Sequence, residues 1–129
     1  MLYLILLLLC GYSEAYSRGA PTSACGSMKP GHASQSQTSA SPYKVTVSGS
    51  TVSTGGQLTV ELNPTGSETF KGFFLQARNS DDDIIGSFET VTNDGKYVNC
   101  GNKPQTAVTH VNSDPKSSVK VKWTAPSDF

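Results

Sequence analysis

Runs of alternating apolar and polar residues constrain this chain more than any other feature of its sequence. They recur about every ten residues from residue 43 to residue 124, and clusters of Gly, Asn, Asp and Pro separate them. The apolar members of three runs are predicted to face inward: Tyr43, Val45 and Val47; Leu58, Val60 and Leu62; Val119, Val121 and Trp123. Because no window shows the 3.6-residue period of a helix, the sequence predicts an all-β fold.

We expect about seven strands, a number typical of an antiparallel, immunoglobulin-like β-sandwich. The predicted strands are residues 43–47, 57–62, 70–77, 84–91, 97–100, 107–112 and 118–124. The segment 70–77 is the most apolar of these, and we expect it to be a central strand with Phe73, Leu75 and Ala77 on one face.

The first fifteen residues are predicted to be a signal peptide. Residues 2–10 are almost purely apolar, but a bilayer-spanning helix needs about 20 apolar residues. Ser13 and Ala15 are the small residues expected before a cleavage site, so we place cleavage after Ala15. No Lys or Arg precedes the apolar run, which leaves an uncleaved anchor as the alternative. After cleavage we expect one secreted, extracellular domain at residues 16–129, with no stable membrane insertion.

Cleavage would remove Cys10 and leave Cys25 and Cys100. An even pair of cysteines in an oxidising compartment indicates a disulfide. Closing a loop of about 75 residues would stabilise the fold by about 4 kcal/mol in the chain-entropy treatment. A metal site is the competing interpretation, but two distant cysteines without a C-x-x-C spacing favour it poorly.

The charge balance excludes some partners. The sequence has 10 basic and 10 acidic residues and a formal net charge of zero. A nucleic-acid-binding domain normally has a strongly basic face, and anionic membranes attract clusters of basic residues. We therefore expect no nucleic acid partner, while carbohydrates, proteins and microbial surfaces stay open.

Five sequence blocks together resemble the reeler domain family. They are C-G-S-M-K-P-G-H at residues 25–32, F-K-G-F-F-L-Q-A-R at 70–78, I-G-S-F at 85–88, A-V-T-H at 107–110 and V-K-W-T-A-P at 121–126. The resemblance extends from about residue 16 to residue 126. Reeler domains occur in secreted invertebrate defence proteins, and at the N-termini of reelin, F-spondin and ferric-chelate reductase-like membrane proteins. They normally continue past the last block into a further strand, so we expect a truncated domain that lacks its last strand.

The candidate ligand-binding residues are His32, Lys71, Arg78 and His110. The resemblance implies motif positions for both histidines, which could lie together to bind a metal or sense pH. The alternative is that each histidine makes structural hydrogen bonds to loop backbone. Arg78 and Lys71 flank the most apolar segment and could grip an anion, but Arg78 could equally pair with a nearby acid.

No catalytic residue, metal site or cofactor is expected. The sequence contains neither a G-x-S-x-G elbow nor a glycine-rich phosphate loop before a helix. The acidic run Asp81, Asp82 and Asp83 could ligate calcium, although such a run between strands is more often a solvated turn.

Phe70 and Phe74 are predicted to lie on the opposite strand face from Phe73. In a two-layer sandwich that face is normally solvated, which would leave an exposed aromatic patch. The other interpretation is that residues 16–41, which Cys25 would attach to the domain, cover it.

The resemblance implies a secreted, non-enzymatic, antimicrobial defence protein of innate immunity. We expect it to bind microbial surface glycans or lipopolysaccharide through loops of a disulfide-bonded sandwich. The alternative is the N-terminal extracellular domain of a ferric-chelate reductase-like membrane protein, in which the redox chemistry belongs to other domains. A third interpretation is a fragment of a spondin-type matrix protein.

Overall fold

Seven strands form in the part of the chain that our computed structural model describes, residues 16–31, 35–90 and 93–128. They are β1 (Tyr43–Val47), β2 (Gln57–Pro64), β3 (Phe74–Gln76), β4 (Ser87–Thr90), β5 (Gly95–Val98), β6 (Ala107–His110) and β7 (Val119–Thr124). Short 3₁₀ helices lie at Thr22–Ala24 and Cys100–Asn102. The predicted leader, residues 1–15, lies outside the described residues. Within those ranges, no helix has the length and apolar character needed to cross a membrane.

The strands form two antiparallel sheets. One has four strands in the order β1-β2-β7-β4, and the other has three in the order β3-β6-β5. Side chains from both sheets meet in one core cluster: Phe70, Phe73, Phe88, Val108, Val119, Val121, Trp123 and Ala125. The predicted antiparallel β-sandwich is therefore confirmed.

Strand β7 lies at the centre of the four-stranded sheet, between β2 and β4. Val119 and Val121 are at most 1 % exposed, Trp123 is also buried, and the intervening Lys120 and Lys122 are exposed. The alternation predicted for this strand is confirmed. Burying a Val side chain contributes about 1.5–3 kcal/mol, so β7 is a major source of stability.

The prediction of a central strand at residues 70–77 is wrong. β3 contains only three residues and lies at the edge of its sheet. The backbone before it leaves the ladder, because Phe70 pairs with Lys116 in an isolated bridge. The Phe73 N–H donates to Nδ1 of His110 at 3.1 Å instead of to a strand neighbour. The strand is therefore shorter than the apolar run, because the backbone at Phe70 and Phe73 pairs with Lys116 and with the His110 side chain instead of with a neighbouring strand.

Strand β6 occupies the central position instead. All four of its residues are buried. Val108 faces the core between the sheets, whereas Thr109 on the opposite face binds the backbone of residue 20. A strand covered on both faces is the natural centre of a sheet.

The aromatic residues around β3 divide between two environments. Phe73, Leu75 and Ala77 pack on the core between the sheets, as predicted. Phe74 lies on the other face, against the cluster that contains the cysteines. Phe70 was predicted to share the face of Phe74, but it is 8 % exposed and packs edge-on against Phe73 with ring centroids 6.3 Å apart. Phe70 therefore belongs to the core rather than to the outer face, and Phe74 is half-buried on the outer face, which favours the interpretation that the preceding segment covers it.

Strand β1 corrects another expectation. Val45 and Val47 were predicted to face inward, yet they are 54 % and 49 % exposed. Only Tyr43 at the start of the strand contacts the core, where its ring meets Phe70 edge-on. The Val45 and Val47 side chains are exposed because the opposite sheet does not extend over β1. Its strands β5 and β6 pack over β4, which is the other edge strand of the four-stranded sheet.

The remaining boundaries differ by a few residues from those predicted. β4 begins at Ser87 rather than residue 84, because Ile84 forms a bridge with Arg78 before the strand starts. β5 is Gly95–Val98 rather than 97–100, and β6 ends at His110 rather than residue 112.

Gly86 fixes the packing of the single Trp. Its φ of +70° is a backbone conformation that favours glycine, and a Cβ there would overlap the indole nitrogen of Trp123. That nitrogen donates to the Ile85 carbonyl at 3.2 Å, which ties the start of β4 to β7. Backbone conformation and close approach therefore both require glycine here.

We predict that Gly86→Ala destabilises the fold much more than Gly55→Ala. Both glycines have φ of +70°, but no atom lies within 4 Å of a Cβ built on Gly55. The left-handed backbone costs a non-glycine residue about 1–2 kcal/mol, and the overlap with Trp123 adds about 1–3 kcal/mol. Urea unfolding of both variants measures the difference. Equal losses would show that the packing against Trp123 contributes nothing.

Candidate binding site

Residues 16–31, which we call the arm, lie against the outer face of the three-stranded sheet. The Ala20 N–H donates to Thr109 Oγ1 at 2.9 Å, across 89 residues of sequence. The Tyr16 carbonyl oxygen lies 2.7 Å from Nε2 of His110. The first contact binds the middle of the arm to β6, and the second binds its beginning.

The disulfide between Cys25 and Cys100 attaches the far part of the arm, as predicted. Its Cα atoms are 5.8 Å apart. Cys100 is 1 % exposed and packs with Val98 and Ala107, while Phe74 also lies against this cluster. The bond therefore joins the arm to a buried residue in the connection between β5 and β6.

Arg78 reinforces this attachment. Its Nη2 donates to the carbonyl oxygens of Cys25 at 2.7 Å and Gly26 at 3.2 Å, and its Nε donates to Gln76 Oε1 at 3.0 Å. Gln76 Nε2 donates to the same Cys25 carbonyl at 2.9 Å. An ion pair of 3.1 Å joins Arg78 to the exposed Asp82. These contacts match the alternative in which Arg78 pairs with a nearby acid.

His110 is buried at the end of β6, and its ring nitrogens have defined partners. Because Nε2 faces the Tyr16 carbonyl oxygen, Nε2 must be the donor. Nδ1 then accepts the Phe73 N–H at 3.1 Å. This pattern assigns the Nε2–H tautomer and matches the structural alternative for this histidine.

A cavity of about 490 Å³ opens between the arm and the junction of β3 with β6. One wall is the arm, mainly Ala20, Pro21 and Ala24, and the opposite wall contains Phe73 and Phe74. The polar residues that line it are Tyr16, Ser17, Ser23, Ser27, Lys29, Lys71, His110 and Ser113. Lys29 comes from the arm, Lys71 comes from the segment before β3, and both are exposed.

The structure brings together two of the four predicted ligand residues. Lys71 and His110 line this cavity, whereas Arg78 lines a second cavity of about 620 Å³ beside the disulfide. His32 lies outside the described residues, although the preceding Gly31 lines the first cavity.

Lys116 is a residue that the sequence reasoning missed. It is 4 % exposed, and four oxygens lie within hydrogen-bond distance of its Nζ and share its three N–H groups: Lys71 O at 2.8 Å, Asp114 O at 2.9 Å, Asn112 O at 3.0 Å and Asn112 Oδ1 at 3.2 Å. The hydrogen-bond partners of this buried ammonium are three backbone carbonyl oxygens and one side-chain amide oxygen, and none of these four is a carboxylate oxygen. It holds the Lys71 backbone, and so the edge of the cavity, in place.

The acidic run forms an exposed turn organised by Asn79. The Asn79 Oδ1 accepts the N–H groups of Asp81 at 3.0 Å and Asp83 at 2.9 Å. All three Asp residues of the run are exposed. Among the described residues, no group of three or more His, Cys, Asp or Glu side chains is placed to hold a metal ion.

The family model of the reeler domain matches residues 23–129. Defense protein 3 of Antheraea mylitta is 39 % identical over 118 residues, which cover 91 % of this chain and 71 % of that protein. Ferric-chelate reductase 1 of Danio rerio is 36 % identical over 126 residues, which cover 96 % of this chain but only 22 % of that protein. The chain thus spans about a fifth of the reductase.

Solved structures agree on the fold. The Reelin-N domain of F-spondin superposes with a TM-score of 0.56 at 23 % identity, and the match covers 68 % of this chain and 64 % of that one. A human F-spondin reeler domain gives a TM-score of 0.54 at 22 % identity, covering 67 % and 68 % of the two chains.

We predict that Lys116→Met lowers the free energy of unfolding by about 2–4 kcal/mol, because several acceptors lose their ammonium donor. Lys120→Met is the matched control: its side chain is 53 % exposed and makes one ion pair of 4.0 Å with Glu61. That variant should change stability by less than about 0.5 kcal/mol. Urea unfolding compares the two, and an equally small effect of both would refute the role given to Lys116.

Proposed function

This chain belongs to the reeler domain family, and from that membership we propose that it is a secreted, non-enzymatic defence protein that binds microbial surface components. Relatives that are named defence proteins support this proposal. The apolar leader and the Cys25–Cys100 disulfide support secretion, since disulfides persist in oxidising compartments.

The observation that carries the proposal is the cavity beneath the arm. The arm on one side of it is held to the sheet by a disulfide and by hydrogen bonds. Lys29 and Lys71 line it, and none of the described lining residues is Asp or Glu. Microbial surfaces are rich in phosphate and carboxylate groups, which lysine side chains bind well.

We predict that the secreted chain sediments with bacteria and that this binding depends on the cavity lysines. The chain is produced with its leader, collected from the medium and mixed with whole cells, lipopolysaccharide or β-glucan at low salt. Lys29→Ser with Lys71→Ser should weaken binding at least about tenfold, because each charge-assisted hydrogen bond contributes about 1.5–3 kcal/mol.

The matched control is Lys44→Ser with Lys122→Ser, which removes the same charge from two exposed positions on the other sheet. Equal weakening by both double variants would indicate non-specific attraction and reject the cavity as the site. Absence of sedimentation with every surface at low salt would reject the proposed function itself.

A second candidate function is the N-terminal extracellular domain of a ferric-chelate reductase-like membrane protein. The alignment that covers 96 % of this chain within 22 % of ferric-chelate reductase 1 favours it. In that case the reeler domain would recognise partners or act as a spacer, and other domains would carry the redox chemistry. Sequencing the transcript beyond the codon for Phe129 discriminates between the two: an apolar multi-helix region would support the reductase.

A further inference from the structure

We propose that the cavity beneath the arm binds an amphiphile, with a single apolar chain inside and an anionic head group between Lys29 and Lys71. This inference deepens the proposed function, because it names the ligand class of the same cavity and rests on that cavity being the binding site. Four features of the described residues lead to it: the floor, the walls, the charged edge and the fixed arm.

The floor of the cavity has its hydrogen bonds already made. Both ring nitrogens of His110 have backbone partners, at Tyr16 and Phe73. The hydroxyl of the neighbouring Thr109, which is not part of the cavity lining, is also paired: it donates to the Phe73 carbonyl at 2.8 Å and accepts from the Ala20 N–H. A sugar hydroxyl placed against His110 would lose its water without gaining an equivalent partner. The lining at His110 therefore favours apolar matter over a glycan hydroxyl.

The lining is mostly apolar and the volume is suitable. Ala20, Pro21 and Ala24 line the cavity on the arm side, and Phe74, whose side chain lies on the outer face of β3, lines it on the sheet side. Its volume of about 490 Å³ lies within the range of about 300–1,000 Å³ that is typical of small-molecule sites. A single apolar chain suits a mostly apolar space of this volume better than a branched polar molecule does.

The edge of the cavity carries positive charge. Lys29 and Lys71 approach from different segments and are both exposed, so a ligand head group can remain in water while it contacts both. The backbone of Lys71 is held in place, because Lys116 Nζ donates to the Lys71 carbonyl oxygen at 2.8 Å. A phosphate or a carboxylate complements these two ammonium groups, and a cationic head group does not.

Several contacts fix the arm beside the cavity. The disulfide joins the arm to Cys100, and Arg78 and Gln76 both hold the Cys25 carbonyl. Because the arm is fixed in this way, less of the free energy gained by burying an apolar chain is lost to ordering the site.

The test is a series of n-alkyl phosphates, from butyl to dodecyl, measured by calorimetry on the secreted chain below their aggregation concentrations. Affinity should rise about fourfold with each methylene, which is the effect of removing one methylene from water. The rise should stop once the cavity is full. Affinity that is independent of chain length would overturn the proposal.

A cavity-filling variant tests the location. Ala24→Phe, inside the cavity, should abolish the dependence on chain length. Thr22→Phe is the matched control, because Thr22 belongs to the same 3₁₀ turn but is exposed and does not line the cavity. Circular dichroism checks that both variants fold. If Ala24→Phe does not fold, the chain-length series on the unmodified chain still decides the proposal. A normal series in folded Ala24→Phe would place the apolar chain elsewhere.

Ligands that share a ten-carbon chain but differ in head group distinguish the possible sources of the ligand. Decyl phosphate represents a phospholipid or phosphorylated glycolipid, and decanoate represents a free fatty acid. Decyltrimethylammonium should bind at least about tenfold more weakly than either anion, and equal binding would reject the role of the lysines. Sedimentation with cells but no chain-length dependence would refute this inference and leave the proposed function standing. Chain-length dependence without sedimentation with any cells or surface component would refute the proposed function alone.

Discussion

The attachment of the arm to the three-stranded sheet is the constraint on which the rest of this structure depends. The carbonyl of Cys25 is bound by Arg78 and Gln76 while its side chain is bonded to Cys100. One residue of the arm therefore has both its backbone and its side chain fixed to the sheet. Without that cover, the outer face of β6 would meet water, and its buried Thr109 and Ala107 would belong to an ordinary half-exposed strand.

The cavity follows from the same attachment. The arm is held near its beginning by His110 and near its end by the disulfide, and between these points it does not fill the space above β3. One of the groups that attach the arm, His110, also lines the cavity. Because both of its ring nitrogens are paired with backbone groups, this part of the lining offers no free ring nitrogen to a ligand.

Period-2 alternation correctly predicted the inward-facing residues of β7 and β2, whose side chains pack in or against the core between the sheets. It failed at β1, because the sequence of one strand does not show how far the opposite sheet extends. Val45 and Val47 alternate correctly but are exposed, since the opposite sheet does not extend over β1. The role of Lys116 had no local signal at all: one of its acceptors is the Lys71 carbonyl, 45 residues away, so in sequence it reads as another lysine in a polar loop.

The candidate site also contains features that the sequence pattern showed and features that only the packing of distant segments determines. Lys71 and Arg78 lie in one apolar block that the family resemblance marked, and both could have gripped an anion. Strand β3 places them at its two ends, so they line different cavities. Four of the contacts of Arg78 are spent on the arm, Gln76 and Asp82, whereas the ammonium of Lys71 is exposed beside an apolar cavity. The fold therefore depends on the identity of Arg78 far more than on that of Lys71, because a substitution at Lys71 removes none of these contacts to the arm.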